Sequence, residues 1–397
     1  MNPQETQPVK AGPPLLALAV GAFGIGVTEF SPMGLLPVIA EGVNVSIPSA
    51  GMLVSAYAIG VMIGAPLMTL AFSRWSRRKA LILLMAIFTI GNILSALSPN
   101  YTTLLLARLV TSLNHGAFFG LGSLVAASVV PRHKQASAVA TMFMGLTIAN
   151  VGGVPAATWL GQTIGWRMSF FATAVLGLIA MLSLWLALPA GEAGRRPNVR
   201  HELAVLRSPA VLLALLTTVL GAGAMFTLYT YIAPTLAEIT GASPAFVTGM
   251  LVLIGLGFTL GNGGRMADRS LDGTLIFFLV LVIADLLAFP WLASTPVGAA
   301  IALLIFGIAT FAVVPPLQMG VMRAATDAPG LASSMNVGAF NLGNAVGAAA
   351  GGAVISAGMG YAAVPIAGAL IATAGLALVL VQRAGNVRRR KVAMQGC

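Results

Sequence analysis

ALILLMAIFTIGNILSALS, residues 80–98, decides the fold class. Its nineteen residues include no charge. As a helix rising 1.5 Å per residue it is about 28 Å long, which matches the hydrocarbon thickness of a bilayer. SRWSRRK (73–79) precedes it and Pro99-Asn100 follows. A basic flank on one side and helix punctuation on the other are what a membrane span carries.

Working outward, comparable apolar runs lie at 14–38, 49–72, 102–128, 136–160, 168–188, 209–233, 245–264, 274–293, 297–320, 331–357 and 361–382. The sequence therefore predicts twelve membrane helices. The breaks carry helix stop and start residues: Ser-Ile-Pro at 46–48, Ser-Pro-Asn at 98–100, Val-Pro-Arg at 130–132, Thr-Pro at 295–296 and Ala-Pro-Gly at 328–330. Composition agrees. Of the 397 residues, 58% are hydrophobic and 8% charged, against about 25% charged in soluble domains. A chain this poor in charge could not cover its surface in water. Its 46 glycines suit close helix contact in lipid.

The net charge of +11 does not point to nucleic acid, because the basic residues sit in short tracts between apolar runs. With the N-terminus inside, the inner segments hold Lys10; Arg74, Arg77, Arg78 and Lys79; Arg132 and Lys134; Arg195, Arg196, Arg200 and Arg207; Arg265 and Arg269; Arg323; and Arg383, Arg388, Arg389, Arg390 and Lys391. These are 19 of the 21 Lys and Arg. Only Arg167 falls in an outer loop, and Arg108 lies within helix 4. The positive-inside rule thus places both termini in the cytoplasm of a bacterial inner membrane. The first residues, MNPQETQPVK, lack a signal-peptide pattern, so helix 1 is read as retained. Cys397 is the sole cysteine, so no disulfide within the chain and no Cys/His metal site is expected.

GEAGRRPNVRHELAVLR, residues 191–207, interrupts the pattern halfway. The expected organisation is a cytoplasmic tail at 1–13, a six-helix bundle at 14–188, a cytoplasmic linker at 189–208, a second six-helix bundle at 209–382 and a basic cytoplasmic tail at 383–397. The halves read as repeats. Ser73-Arg74 matches Asp268-Arg269 and Gly165-Trp166 matches Gly360-Tyr361 at one offset, 195, whereas Gly51-Met52-Leu53-Val54 matches Gly249-Met250-Leu251-Val252 at 198. The difference of three residues predicts a short or irregular helix 8 at its cytoplasmic end. Repeats of this kind place a binding site between the halves, near the bilayer midplane.

Four titratable residues lie within the spans: Glu29, Arg108, His115 and Asp285. Each costs at least about 2.5–3.5 kcal/mol to insert, so such residues face a cavity or a partner. A carboxylate stripped of water exchanges its proton nearer neutral pH. Arg108, Ser112 and His115 recur at i, i+4 and i+7 on helix 4. Counting rise along the helices puts Glu29 between Arg108 and His115 in depth, able to pair with either. Two readings stand: a proton relay in which Glu29 carries the proton, Arg108 modulates it and His115 contacts substrate or shares the proton; or a structural ion pair locking helices 1 and 4. Asp285 has no basic neighbour in sequence and is read as an incidental buried acid.

Amides within the spans, Asn114, Asn150, Gln318, Asn336, Asn341 and Asn344, are candidates either to bind substrate or to bridge helices. Tyr57, Phe226, Tyr229, Tyr231 and Phe340 are candidate cavity aromatics, or packing residues. Gly60/Gly64, Gly257/Gly261 and Gly343/Gly347/Gly351 form GxxxG faces for close crossing. No P-loop occurs, GLGFTLG at 255–261 lies inside an apolar span, and no histidine pair has metal spacing.

These features resemble the major facilitator superfamily, specifically its twelve-helix drug/proton antiporter branch with its arabinose-efflux-like permeases. TEFSPMGLLP (28–37) is similar to that branch's first helix, LLLARLVTSLNHG (104–116) to its helix 4 motif, and GVPAATWLGQTIGWRMSF (153–170) to its helix 5 motif. SRWSRRK (73–79) and GGRMADRS (263–270) are similar to the two copies of its loop motif. The resemblance implies a major facilitator fold, alternating access by rocking halves, Arg108 near a proton pathway, and Gly153 and Pro155 limiting leak. It also implies a conformational latch from Arg74, Arg77, Arg78, Asp268 and Arg269. Ser73 replaces the usual loop acid, so the first latch is expected to be the weaker. Ser112 stands where glycine is usual, and Val154-Pro155 where glycine-proline is usual.

The expected function is proton-coupled efflux of a small molecule such as a drug, sugar or metabolite. The expected partners are lipid, protons and that substrate. The driving force is the proton gradient, with no cofactor, no metal and no enzyme chemistry, and a single chain is read as the working unit. A uniporter or proton symporter on the same fold is the alternative. A membrane sensor or scaffold is the alternative from another class.

Overall fold

A computed structural model describes residues 11–72, 74–131, 135–189, 208–261, 264–325 and 329–395. Residues 1–10, Ser73, Arg132, Lys134, linker residues 190–207 and the side chains of Arg265, Asp268 and residues 385–395 lie outside that description. Among the described residues there are twelve helical crossings, six before the linker and six after it. The first six are α1 (Gly12–Gly34, continued by Leu36–Gly42), α2 (Ile47–Ala71), α3 (Arg77–Leu97), α4 (Tyr101–Ser112, then His115–Ser128), α5 (Gln135–Ile148, a wide π turn Ala149–Gly153, then Val154–Thr163) and α6 (Trp166–Ala187). The second six are α7 (Pro209–Thr230, then Ile232–Thr240), α8 (Pro244–Leu260), α9 (Leu271–Leu292), α10 (Pro296–Ala312, then Val314–Ala324), α11 (Pro329–Ser356) and α12 (Ala363–Gln395). A short helix, Gly264–Arg269, lies between α8 and α9.

Local sequence explains the ends. Pro opens α7, α8, α10 and α11, where a missing N–H costs nothing. Asn100 caps α4 reciprocally with Thr103, and Ser243, Ser270 and Thr295 cap α8, α9 and α10. Gly165 and Gly360 hold φ of +112° and +77° in equivalent turns, after the fifth helix of each half. That backbone favours glycine, so the sequence repeat has a conformational counterpart.

Ten of the crossings are long and apolar enough to span a membrane. The other two are α8, with 17 residues, and α11, 28 residues interrupted by Asn336, Asn341 and Asn344. α2, the counterpart of α8, has 25 residues. The shortfall thus sits where the change of offset predicts it. α12 runs on as helix to Gln395, past its apolar span ending at Ala384, so much of the region read as a basic tail is helical. Large apolar side chains face outward, such as Trp291 at 74% and Leu370 at 69% exposure. In water such a surface would aggregate; in lipid it is solvated.

The halves meet along α2–α11 and α5–α8. Ser55 Oγ on α2 donates to the Ala345 carbonyl on α11 at 3.2 Å. Gly255 on α8 lies against the Asn150 carbonyl in the wide turn of α5. Near the end of the bundle remote from the termini, Thr248 and Gln162 hydrogen-bond at 3.1 Å.

Candidate functional site

Three consecutive residues of α1 organise the centre. Successive helical residues point about 100° apart, so Thr28, Glu29 and Phe30 reach three different neighbours. Thr28 Oγ1 donates to Asn92 Oδ1 on α3 at 2.7 Å. Its carbonyl accepts from Arg108 Nη1 on α4 at 2.9 Å. Glu29 faces His115, with Oε2 4.0 Å from Nε2. Phe30 crosses to the second half and stacks on Phe226 of α7, the ring centroids 6.1 Å apart and the planes 1° from parallel.

Arg108 is 1% exposed. Its guanidinium lies over the Tyr57 ring, 4.2 Å from the centroid, with Phe170 at 5.9 Å. A desolvated cation over an aromatic face is held by about 2 kcal/mol or more. Nε and Nη2 have no hydrogen-bond partner among the described residues. Among the described residues Glu29 and Arg108 form no ion pair.

The Arg108–Ser112–His115 face does not run through a continuous helix. α4 is interrupted at Leu113–Asn114, and His115 begins its second segment. His115 Nδ1 lies 3.1 Å from the Tyr57 hydroxyl. When Tyr57 donates to Nδ1, the ring proton sits on Nε2 and faces Glu29. Tyr57, His115 and Glu29 thus form a chain of polar groups from α2 through α4 to α1. Phe119 and Phe143 extend the His115 side as a stacked pair.

A family model for the Major Facilitator Superfamily matches residues 18–348. The chain is 72% identical over 375 residues to "Inner membrane transport protein YdhP" of Escherichia coli (strain K12), covering 94% of this chain and 96% of that protein. The chain belongs to the Major Facilitator Superfamily. It is also 34% identical over 354 residues to a "Chloramphenicol resistance protein" of Streptomyces lividans, covering 88% of this chain and 89% of that one. The fold of a solved "D-xylose-proton symporter" superposes with a TM-score of 0.70 at 17% identity, covering 91% of this chain and 96% of that one. The protein is therefore a membrane transporter of this superfamily and not an enzyme.

Within this superfamily fold, the remaining candidates separate by position. On the second-half side of the centre, Phe30, Tyr229, Phe258 and Phe311 continue the aromatic contact begun at Phe226, with centroid separations of 5.8, 5.9 and 5.1 Å. Phe340 packs against the second-half core. Asn341 donates to the Val337 carbonyl of its own helix, and neither amide atom of the buried Asn344 has a partner. Gln318 and Asn336 bridge helices: Thr218 Oγ1 donates to Asn336 Oδ1 at 2.7 Å, and Asn336 Nδ2 to Gln318 Oε1 at 2.6 Å. Asn114 turns toward Met85 on α3. Asn150 donates to the Leu146 carbonyl in the wide turn. Tyr231 lies at the break of α7, fully buried, away from Glu29 in a cluster with Leu36, Ala40, Ala50 and Val364. Asp285 is buried in α9, its Oδ2 without a partner.

Around the loop motif, Arg77 Nη1 donates to the Leu124 carbonyl of α4 at 3.4 Å and Arg78 Nη2 to the Trp185 carbonyl of α6 at 2.6 Å. These two arginines cover helix C-termini, where a positive charge is favoured. Arg74 and Arg269 are exposed. Gly153 lies against Val27 and Phe23 of α1, and Pro155 is buried just past the wide turn. Asn92, Phe119, Phe143, Phe258 and Phe311 join the centre although no sequence signal singles them out, and Thr28 and Phe30 are marked only as part of the helix 1 motif. Neutral and aromatic residues are ordinary in apolar helices, so only their contacts reveal them.

Proposed function

We propose that this transporter moves a small molecule out across the inner membrane in exchange for protons, by alternating access, with both termini in the cytoplasm. Glu29 carries the proton, His115 and Tyr57 relay it, and Arg108 supplies a fixed positive charge beside the carboxylate. The observation that carries this reading is the state of Glu29. It is a buried acid at the meeting point of the halves that faces His115 at 4.0 Å. It gains or loses a proton without breaking a hydrogen bond. The basic side chains of Arg77 and Arg78 at one end of the bundle support the orientation. The name of the Streptomyces lividans relative supports efflux and suggests chloramphenicol as a probe.

The test is chloramphenicol-dependent proton release from reconstituted vesicles, comparing the natural chain with Glu29→Gln. Release by the natural chain and none by Glu29→Gln is the expected result. Equal release by both removes Glu29 from the mechanism. Chloramphenicol flux with no proton movement identifies a uniporter instead.

A further inference from the structure

The breaks in α1 and α7 occupy equivalent places in the two halves. Each is a single residue between helical segments, Leu35 with φ −105° and ψ 3°, and Tyr231 with φ −108° and ψ 21°. Their side chains behave differently. Leu35 packs inward against its own half, on Ile39, Leu53, Leu104 and Trp166, and fills the space over Gly161. Tyr231 is longer and polar at its tip. Its hydroxyl donates to the Ala348 carbonyl of α11 at 2.9 Å. Its ring lies on Gly351 and its hydroxyl on Gly352, where an added Cβ would come within 2.7 Å of the ring and 2.6 Å of the hydroxyl. It also crosses to the first half: a Cβ on Gly51 of α2 would collide with the hydroxyl and ring. One side chain thus fills a slot with walls from both halves, near the end of the bundle remote from the termini. It is fully buried there.

We propose that Tyr231 is the closing element of that end. The hydrogen bond to Ala348 keeps the ring with its own half, and the bare backbone at Gly51 is the surface that docks on it and leaves it. Seating the ring requires that α2 carry no side chain at 51. Opening that end is the withdrawal of Gly51 from a ring that stays in place. Leu35 cannot do the same job, because it is committed to the interior of its own half.

This inference does not depend on proton coupling or on direction of transport, and the test reads neither. Cys397 is replaced by serine, and spin labels are placed at Glu41→Cys and Glu238→Cys, exposed positions on the outer segments of α1 and α7. Electron–electron distances are measured in lipid nanodiscs. In the parent the distribution is dominated by a short separation. Gly51→Ala shifts the population to separations longer by several ångströms, because the methyl group and the ring cannot share the slot. Combining it with Tyr231→Ala returns the distribution to the short separation, because the obstacle is gone. Melting and gel-filtration profiles establish that each variant is folded, and Tyr231→Leu replaces Tyr231→Ala if the latter is not. A Gly51→Ala distribution that overlays the parent overturns the proposal. So does a double variant that stays as open as Gly51→Ala alone.

Discussion

The centres of the two halves are built from opposite materials. In the first half, Glu29, Tyr57, Arg108 and His115 bring two ionisable side chains, a cation and a phenol into one buried cluster. In the second, Phe226, Tyr229, Phe258 and Phe311 supply ring faces, and Asp285 on α9 leaves its Oδ2 without a partner among the described residues. The scaffolding beneath differs as well, because the second-half counterpart of α3 is α9 and not α11. Thr28 bonds to Asn92 between α1 and α3, and Thr218 bonds to Asn336 between α7 and α11, both at 2.7 Å. The two copies of the repeat have therefore diverged in both struts and lining: one gathers charged groups and the other presents flat apolar rings.

The largest expected effect follows from removing the fixed charge. Arg108→Met loses a hydrogen bond from a charged donor and a buried cation–ring contact, together about 3–5 kcal/mol. Transport ceases and the protein melts markedly earlier in a detergent thermal scan. Arg108→Lys keeps the charge without the flat contact and falls between. Natural activity in Arg108→Met would break the division between the halves.

Phe226→Ala probes the other side. In soluble cores the change costs about 3–5 kcal/mol. Lipid tails are as apolar as the side chain, so only packing is lost and the lower end applies. Substrate flux falls while protons moved per substrate stay constant, as measured by paired flux and proton recordings. A changed ratio would assign coupling to both halves.

Thr28→Val and Thr218→Val test the struts. Each leaves a buried amide oxygen short of a donor, a loss of about 1–3 kcal/mol. Similar drops in melting temperature for the two variants would show that the two unlike struts carry equal weight; a drop in one alone would show that they do not. The smallest effect belongs to Asp285→Asn, which changes transport by less than about two-fold if the second-half acid takes no part in exchange. A loss comparable with Glu29→Gln would place charge handling in both copies.

The crossings are legible in the sequence because an apolar run of that length is stable as a helix in lipid and as little else. The breaks at Leu35, Leu113–Asn114, Tyr231 and Val313 are not. A hydropathy run averages over turns and does not register a single missing hydrogen bond. Glu29, Arg108 and His115 stand out because charge is rare in lipid, and the depth argument already allowed Glu29 to meet His115. Tyr57 completes the chain only because three helices converge on it. Thr28–Asn92 is hidden because neither residue is unusual in a span. Tyr231 shows the converse: it looks like a cavity aromatic by type, and its position at a break sends it instead to the far end.

The wide turn in α5 sets the phase of that helix. Its buried positions are 138, 142, 145, 149 and 150 up to the turn, then 154, 155, 157, 158 and 161. A continuous α-helix would carry the stripe to 153, 156 and 160 instead. The additional residue rotates the outer segment by about 100°, and that rotation aims Gly161 at Leu35 and Thr158 at Gly34. A helical wheel drawn for α5 as one piece would point half of it the wrong way. Deleting one residue between 149 and 153 would swing Trp159, 56% exposed, around the helix axis relative to the lipid.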